Sequence, residues 1–314
     1  MTVLLALAAA ASWGSSDFVA GVASRRASGL SVVIAAHLTG LIALLVVVPL
    51  LAGGTHVGSA LAWGAAAGVC GGVGAALLYE GLAIGRMGVV APITAAGAAA
   101  LPAIAGVFLG DRLSSMALLG VVLALPAIAF VSVSPPSSAD PQPGRHRLSR
   151  DRRRRHRLGR HRLGRHRVAG ERAFARWSRQ PGLREALLSG AGFGGFYLCL
   201  ERAPEVAGLW PLIGARTASV ALLVVAALAM GIRPLPAGSA LPSSVVVGVL
   251  DIAAAGLFLL ATRSGSLAVV AVLSSLYPIT TVALARTFTG ERCHRMQFVG
   301  FAVAATSVGL IAVG

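Results

Sequence analysis

The chain contains no lysine at all, so its basic character is purely guanidinium and no lysine-dependent phosphate loop can form. Charge is scarce as well: only 12% of the 314 residues are Asp, Glu or Arg, about half the share of an ordinary soluble domain. A soluble protein of this length would need a charged surface over its core, and there is too little charge to make one. Aromatic residues amount to only 5%. The three cysteines (Cys70, Cys199, Cys293) stand far apart without metal-ligand spacing, which argues against a disulfide framework. Cys70 and Cys199 lie inside apolar runs, where cysteine behaves as a small hydrophobe. There is no nucleophile elbow and no clustered set of metal ligands. The expectation is a protein that is not an enzyme and needs no cofactor.

What the chain does have is apolar length. Hydrophobic residues make up 56% and the mean hydropathy is +0.81, as expected where lipid replaces water around the apolar surface. A membrane-crossing helix takes about 20 mostly apolar residues. Ten segments meet that length: 2–22, 31–52, 59–80, 88–109, 115–133, 184–203, 207–230, 243–262, 266–287 and 296–313. The first lacks the basic flank of a signal peptide and is longer than the usual cleaved core, so it is taken as a membrane helix. Several spans are dominated by Gly and Ala, which let helix backbones approach closely in lipid. Pro92, Pro102, Pro126, Pro211 and Pro278 lie in or at the start of spans, where each removes a backbone donor.

The net charge of +16 is concentrated in one place. Residues 140–185 hold sixteen of the 27 basic residues and four of the eleven acids, leaving only +4 elsewhere. This segment begins rich in Pro and Ser and then repeats Arg-His-Arg-Leu-Gly, as a disordered low-complexity linker does. Nucleic-acid binding is disfavoured because no aromatics are interleaved. Attraction of Arg145–Arg184 to anionic lipid headgroups and a passive, expanded linker are both compatible with the composition. The placement of Arg in the loops puts this segment in the cytoplasm and both termini outside.

An offset of 180 residues runs through the chain. Gly110-Asp111-Arg112 recurs as Gly290-Glu291-Arg292, Gly14 as Gly194, and Gly120 as Gly300. Duplication at a fixed offset implies two like units. Five spans per half is an odd number, so the halves must be inverted. The expected fold is an all-α polytopic membrane protein of ten transmembrane helices, with residues 1–134 and 183–314 as five-helix repeats and 135–182 as linker.

These residues resemble the EamA-type members of the drug/metabolite transporter superfamily. The resemblance rests on the Leu/Thr-Gly-Asp/Glu-Arg turn after the fourth span of each half, on Trp13-Gly14-Ser15, on Arg216, and on Tyr277-Pro278 thirteen residues before Glu291. The first half departs from the pattern: Asp111 stands for Glu, and Ala98 stands where Pro is expected. The resemblance implies a multi-pass protein of the cell membrane, of bacterial inner-membrane type, that moves small metabolites by secondary transport, often exporting amino acids or toxic compounds. It also implies cytoplasmic termini, opposite to the charge reading.

An ionisable group at mid-bilayer costs at least about 2.5–3.5 kcal/mol, so it normally faces a cavity or a partner. Asp17, His37, Glu80, Arg216 and Asp251 fall inside or at the ends of spans. Arg216 suits a carboxylate or phosphate, and Asp17 or Asp251 a coupling proton. Structural pairing of Arg216 with Asp251 or Asp17 is the competing role. Trp13 and Tyr197 are candidates to stack on an organic substrate. The functional expectation is alternating-access transport of amino-acid-like or drug-like compounds across the bilayer, with export and proton coupling. The alternative is a non-transporting membrane protein whose Arg-rich loop recruits a partner or anionic lipid.

Overall fold

In hydrocarbon every backbone amide must find its partner within the segment, which makes long Ala-, Leu- and Val-rich runs helical. The computed structural model describes residues 1–50, 58–85, 87–108, 114–131, 181–289 and 295–313, and all regular structure among them is helical. In chain order the helices are α1 (Thr2–Ser24), α2 (Gly29–Leu50), α3 (Gly58–Ile84), α4 (Met87–Phe108), α5 (Ser115–Val131), α6 (Leu183–Glu201), α7 (Trp210–Ala229), α8 (Ala240–Thr262), α9 (Leu267–Ser274), α10 (Pro278–Thr289) and α11 (Arg295–Val313). Among the described residues six spans are long and apolar enough to cross a membrane: α1, α2, α3, α7, α8 and the stretch Leu267–Phe288. Residues 1–134 and 181–314 make one compact unit. The linker and the two Gly-Asp/Glu-Arg turns, with Asp111 and Glu291, lie outside the described residues.

Two expected spans are present but differ in detail. The run expected at 207–230 begins as a helix only at Trp210, after a 3-10 turn over Glu205–Ala207. Pro211 sits in its first turn, where a missing N–H costs nothing. The run expected at 266–287 is two helices rather than one. Pro278 lacks an N–H and pushes the preceding residue out of the α region. The chain therefore tightens between α9 and α10, with Leu276 N bonded to Leu273 O at 3.2 Å and Tyr277 N to Ser274 O at 3.3 Å.

Small residues determine how the helices meet. A Cβ on Gly68 would lie 2.0 Å from the Ala215 carbonyl, so α3 and α7 touch backbone to backbone. Gly248 approaches the Ala36 carbonyl in the same way, joining α8 to α2. Gly14 lies against Tyr277 and Thr280, and Gly194 against Leu101. The neighbour relations are reciprocal: α1 packs on α8 as α6 does on α3, α3 on α7 as α8 on α2, and α4 on α6 as the α9–α10 pair on α1. α5 pairs with α11, where Ser307 donates to the Gly120 carbonyl at 2.7 Å.

Before α6 the chain turns at Gly182, whose φ of 83° is left-handed. A side chain there would be strained, and its Cβ would also crowd the Gly81 carbonyl at 2.9 Å. Arg263 donates from Nη2 to the Gly208 carbonyl at 2.5 Å, at the end of the 3-10 turn. Arg286 lies over the Phe298 ring, 5.7 Å from its centroid.

Candidate functional site

Helical spacing presents the polar residues of four helices to one place. Trp13 and Asp17 are four apart on α1, and Arg216 and Ser219 are three apart on α7, so each pair shares a face. His37 comes from α2 and Asp251 from α8. All six line a central cavity, together with Gly68, Gly71, Gly72 and Ala75 of α3. The small residues there leave room that larger side chains would fill. Tyr197 of α6 closes the cavity on the aromatic side.

Asp251 is the hub. Its Oδ2 accepts from Arg216 Nη2 at 2.6 Å, and its Oδ1 accepts from Trp13 Nε1 at 3.0 Å. His37 Nε2 lies 3.7 Å from the same Oδ2, while Nδ1 is 2.5 Å from the Ser219 hydroxyl. Two states of His37 suit this geometry: a neutral ring with its proton on Nε2, accepting from Ser219, or an imidazolium donating to both sides. The remaining tautomer would turn an Nε2 lone pair toward a carboxylate. Arg216 is 6% exposed and His37 4% exposed, so both are withdrawn from solvent, while Asp251 is half-buried.

Asp17 stands apart from this network. It is 7% exposed and makes no hydrogen bond or salt bridge to any described residue. With Arg216 balancing Asp251 and His37 neutral, an ionised Asp17 leaves the cavity one negative charge that no described cation offsets. Nearby, Trp13 is held by packing as well as by its N–H. Its ring centroid is 5.7 Å from Tyr197 and 5.7 Å from Phe258, and those two rings stack at 4.4 Å.

Of the residues singled out from sequence, Asp17, His37, Arg216, Asp251, Trp13 and Tyr197 converge on this cavity. Glu80 does not. It is exposed near the C-terminal end of α3, while its neighbour Tyr79 is buried and faces the cavity. One residue is a rotation of about 100° on a helix, enough to separate their environments. Sequence reasoning missed Tyr79, Ser219 and Tyr277. Ser219 carried a signal in its spacing from Arg216, and Tyr277 in its place before Pro278.

The family model for the EamA-like transporter family matches residues 1–133 and again residues 181–313. The chain belongs to the EamA-like transporter family. It is accordingly a multi-pass membrane transporter of the drug/metabolite superfamily, a family of transporters rather than enzymes, with a small-molecule substrate and the bilayer as its surroundings. A comparison with functionally curated proteins returns no match. Among solved structures, one titled only "Crystal structure of protein" is similar in fold, with a TM-score of 0.67 over 99% of this chain and 97% of that chain at 14% identity. For an EamA-like transporter the cavity is the natural place to look for substrate recognition, since transporter sites lie between repeats near mid-membrane.

Proposed function

We propose that the protein is a secondary transporter working by alternating access, which exports small amino-acid-like or drug-like metabolites bearing a positively charged amine. The observation that carries this reading is the Asp17 carboxylate, without a partner among the described residues, in a cavity where Arg216 and Asp251 already compensate each other. Such a carboxylate favours an ammonium group or a proton, and the two compete for one site. That competition is the basis of the proposed coupling: the proton displaces the amine on one side of the membrane and is displaced by it on the other. Trp13 and Tyr197 offer apolar ring surface for the rest of the substrate and, through their faces, further attraction for a cation. Arg216 keeps guanidinium N–H groups beyond the one bonded to Asp251, which suits a substrate carboxylate as well.

Two inverted five-helix repeats, 1–134 and 183–314, form the moving parts in this reading. The reciprocal contacts of α1–α8 with α6–α3, and of α3–α7 with α8–α2, support it. The 180-residue offset of Gly14 and Gly194, each set against its partner helix, supports it too. Flux in proteoliposomes, driven by an outward or inward pH gradient, tests the function. Cationic amines and basic or neutral amino acids should move and should acidify or alkalinise the lumen in step. Flux of organic anions only, unaffected by Asp17→Asn, would sink the reading.

A further inference from the structure

Cys70 and Cys199 occupy the seam between α3 and α6. Along that seam Gly81 lies beside Glu185, Gly74 beside Ser189 and Gly192, and Gly71 beside Phe196. Numbers fall on one helix as they rise on the other, so the two run antiparallel. The backbones touch: a Cβ on Gly192 would lie 2.8 Å from the Cys70 carbonyl, and one on Gly195 would lie 3.2 Å from the Cys70 sulfur. Cys199 is one helical turn past Gly195. Side chains in a helix lean toward its N-terminus, so on antiparallel helices these two lean toward each other. Both are reduced and half-buried. Neither lines the central cavity.

We propose that Cys70 and Cys199 are a redox modification site, a dithiol that closes to a disulfide between α3 and α6 on contact with a hydroperoxide. The first thiol reduces the hydroperoxide to an alcohol and becomes a sulfenic acid. The second thiol attacks that sulfur, the S–S bond forms, and the S–O bond breaks with release of water. A disulfide needs its α-carbons within roughly 7 Å, which helices in backbone contact bring into reach. The bond ties a helix of residues 1–134 to a helix of residues 181–314. If those segments move against one another, as the proposed alternating access requires, the oxidised protein is arrested. This last consequence rests on the proposed function, while the bond itself does not.

The test uses the full chain in nanodiscs or proteoliposomes carrying Cys293→Ser, treated with tert-butyl hydroperoxide, which partitions into lipid. Non-reducing peptide mass spectrometry should find the Cys70 and Cys199 peptides joined. Both thiols should lose alkylation together and recover it with dithiothreitol. Cys199→Ser should leave Cys70 unable to form the cross-link, and Cys70→Ser the reverse. Thiols that stay freely alkylatable in the folded, oxidant-treated protein overturn the site. A disulfide that forms while flux continues unchanged overturns the arrest. Flux of the reduced protein and its dependence on Asp17 are measured separately, so failure of the proposed function is told apart from failure of the dithiol.

Discussion

The guanidinium of Arg216 lies 2.6 Å from the carboxylate of Asp251, with Arg216 buried and Asp251 half-buried in the wall of the cavity. Neither charge is tolerable there alone. Removing one partner of a buried pair typically costs about 3–5 kcal/mol, whereas replacing both with apolar residues of similar volume is often neutral. Asp251→Ala and Arg216→Ala should therefore each lower the thermal unfolding midpoint of the detergent-solubilised protein strongly. The double variant Arg216→Met with Asp251→Leu should recover most of that loss. Equal destabilisation in the double and single variants would mean that the pair is not the source of the effect.

Asp17 should behave in the opposite way. It has no described partner, so Asp17→Asn removes an uncompensated buried charge and should hold or raise the unfolding midpoint while abolishing binding of cationic amines. In the parent, a falling pH protonates the carboxylate and weakens amine binding, so affinity rises with pH until the group is fully ionised. His37, Tyr79, Tyr197, Arg216, Asp251 and Tyr277 face the same cavity. The Asn variant separates Asp17 from them, because its residual pH dependence is theirs. A ligand titration by calorimetry at several pH values measures both curves. A pH profile that Asp17→Asn leaves unaltered would assign the titration to another group.

Close helix approach predicts a contrast between two glycines. A Cβ on Gly68 would meet the Ala215 carbonyl at 2.0 Å, while one on Gly256 meets nothing within 4 Å. Gly68→Ala should destabilise by about 1–3 kcal/mol through overpacking between α3 and α7. Gly256→Ala should stabilise by roughly 0.5–1 kcal/mol by removing a flexible residue from a helix interior. Thermal melts of the two variants side by side test the packing, and a neutral Gly68→Ala would refute the backbone contact.

The Arg-rich segment is expected to be dispensable for transport. Deleting residues 143–180 should leave flux unchanged and weaken sedimentation with anionic vesicles, which attract Arg by roughly 1 kcal/mol per residue near the surface. Loss of flux, with binding to neutral vesicles intact, would give the segment a part in the transport cycle.

Much of this architecture was legible in the residues. The apolar runs located the helices, six stretches of which are long and apolar enough to cross a membrane among the described residues, and Gly14 and Gly194, 180 residues apart, each lie against a neighbouring helix. Asp17, His37, Arg216 and Asp251 stood out because charge in hydrocarbon is costly wherever it occurs. Their partners were not legible. Arg216 had two possible carboxylates, and choosing between them depends on the rotation of α1 and α8 about their own axes, which composition does not encode. Glu80 and Tyr79 show the same limit, since adjacent residues on one helix meet different surroundings. The break before Pro278 was foreseeable from proline chemistry, but the apolar run on both sides hid it.

With Arg216 and Asp251 cancelling and His37 neutral, an empty cavity with Asp17 ionised has a charge of −1, and a cavity holding one proton or one monovalent amine has none. Exchange of one for the other is then electrically silent. Only return of the vacant carrier would feel the membrane potential, at about 2.3 kcal/mol per elementary charge per 100 mV. A transporter built this way runs as an exchanger when both ligands are abundant, and voltage retards or speeds it only when one side runs short.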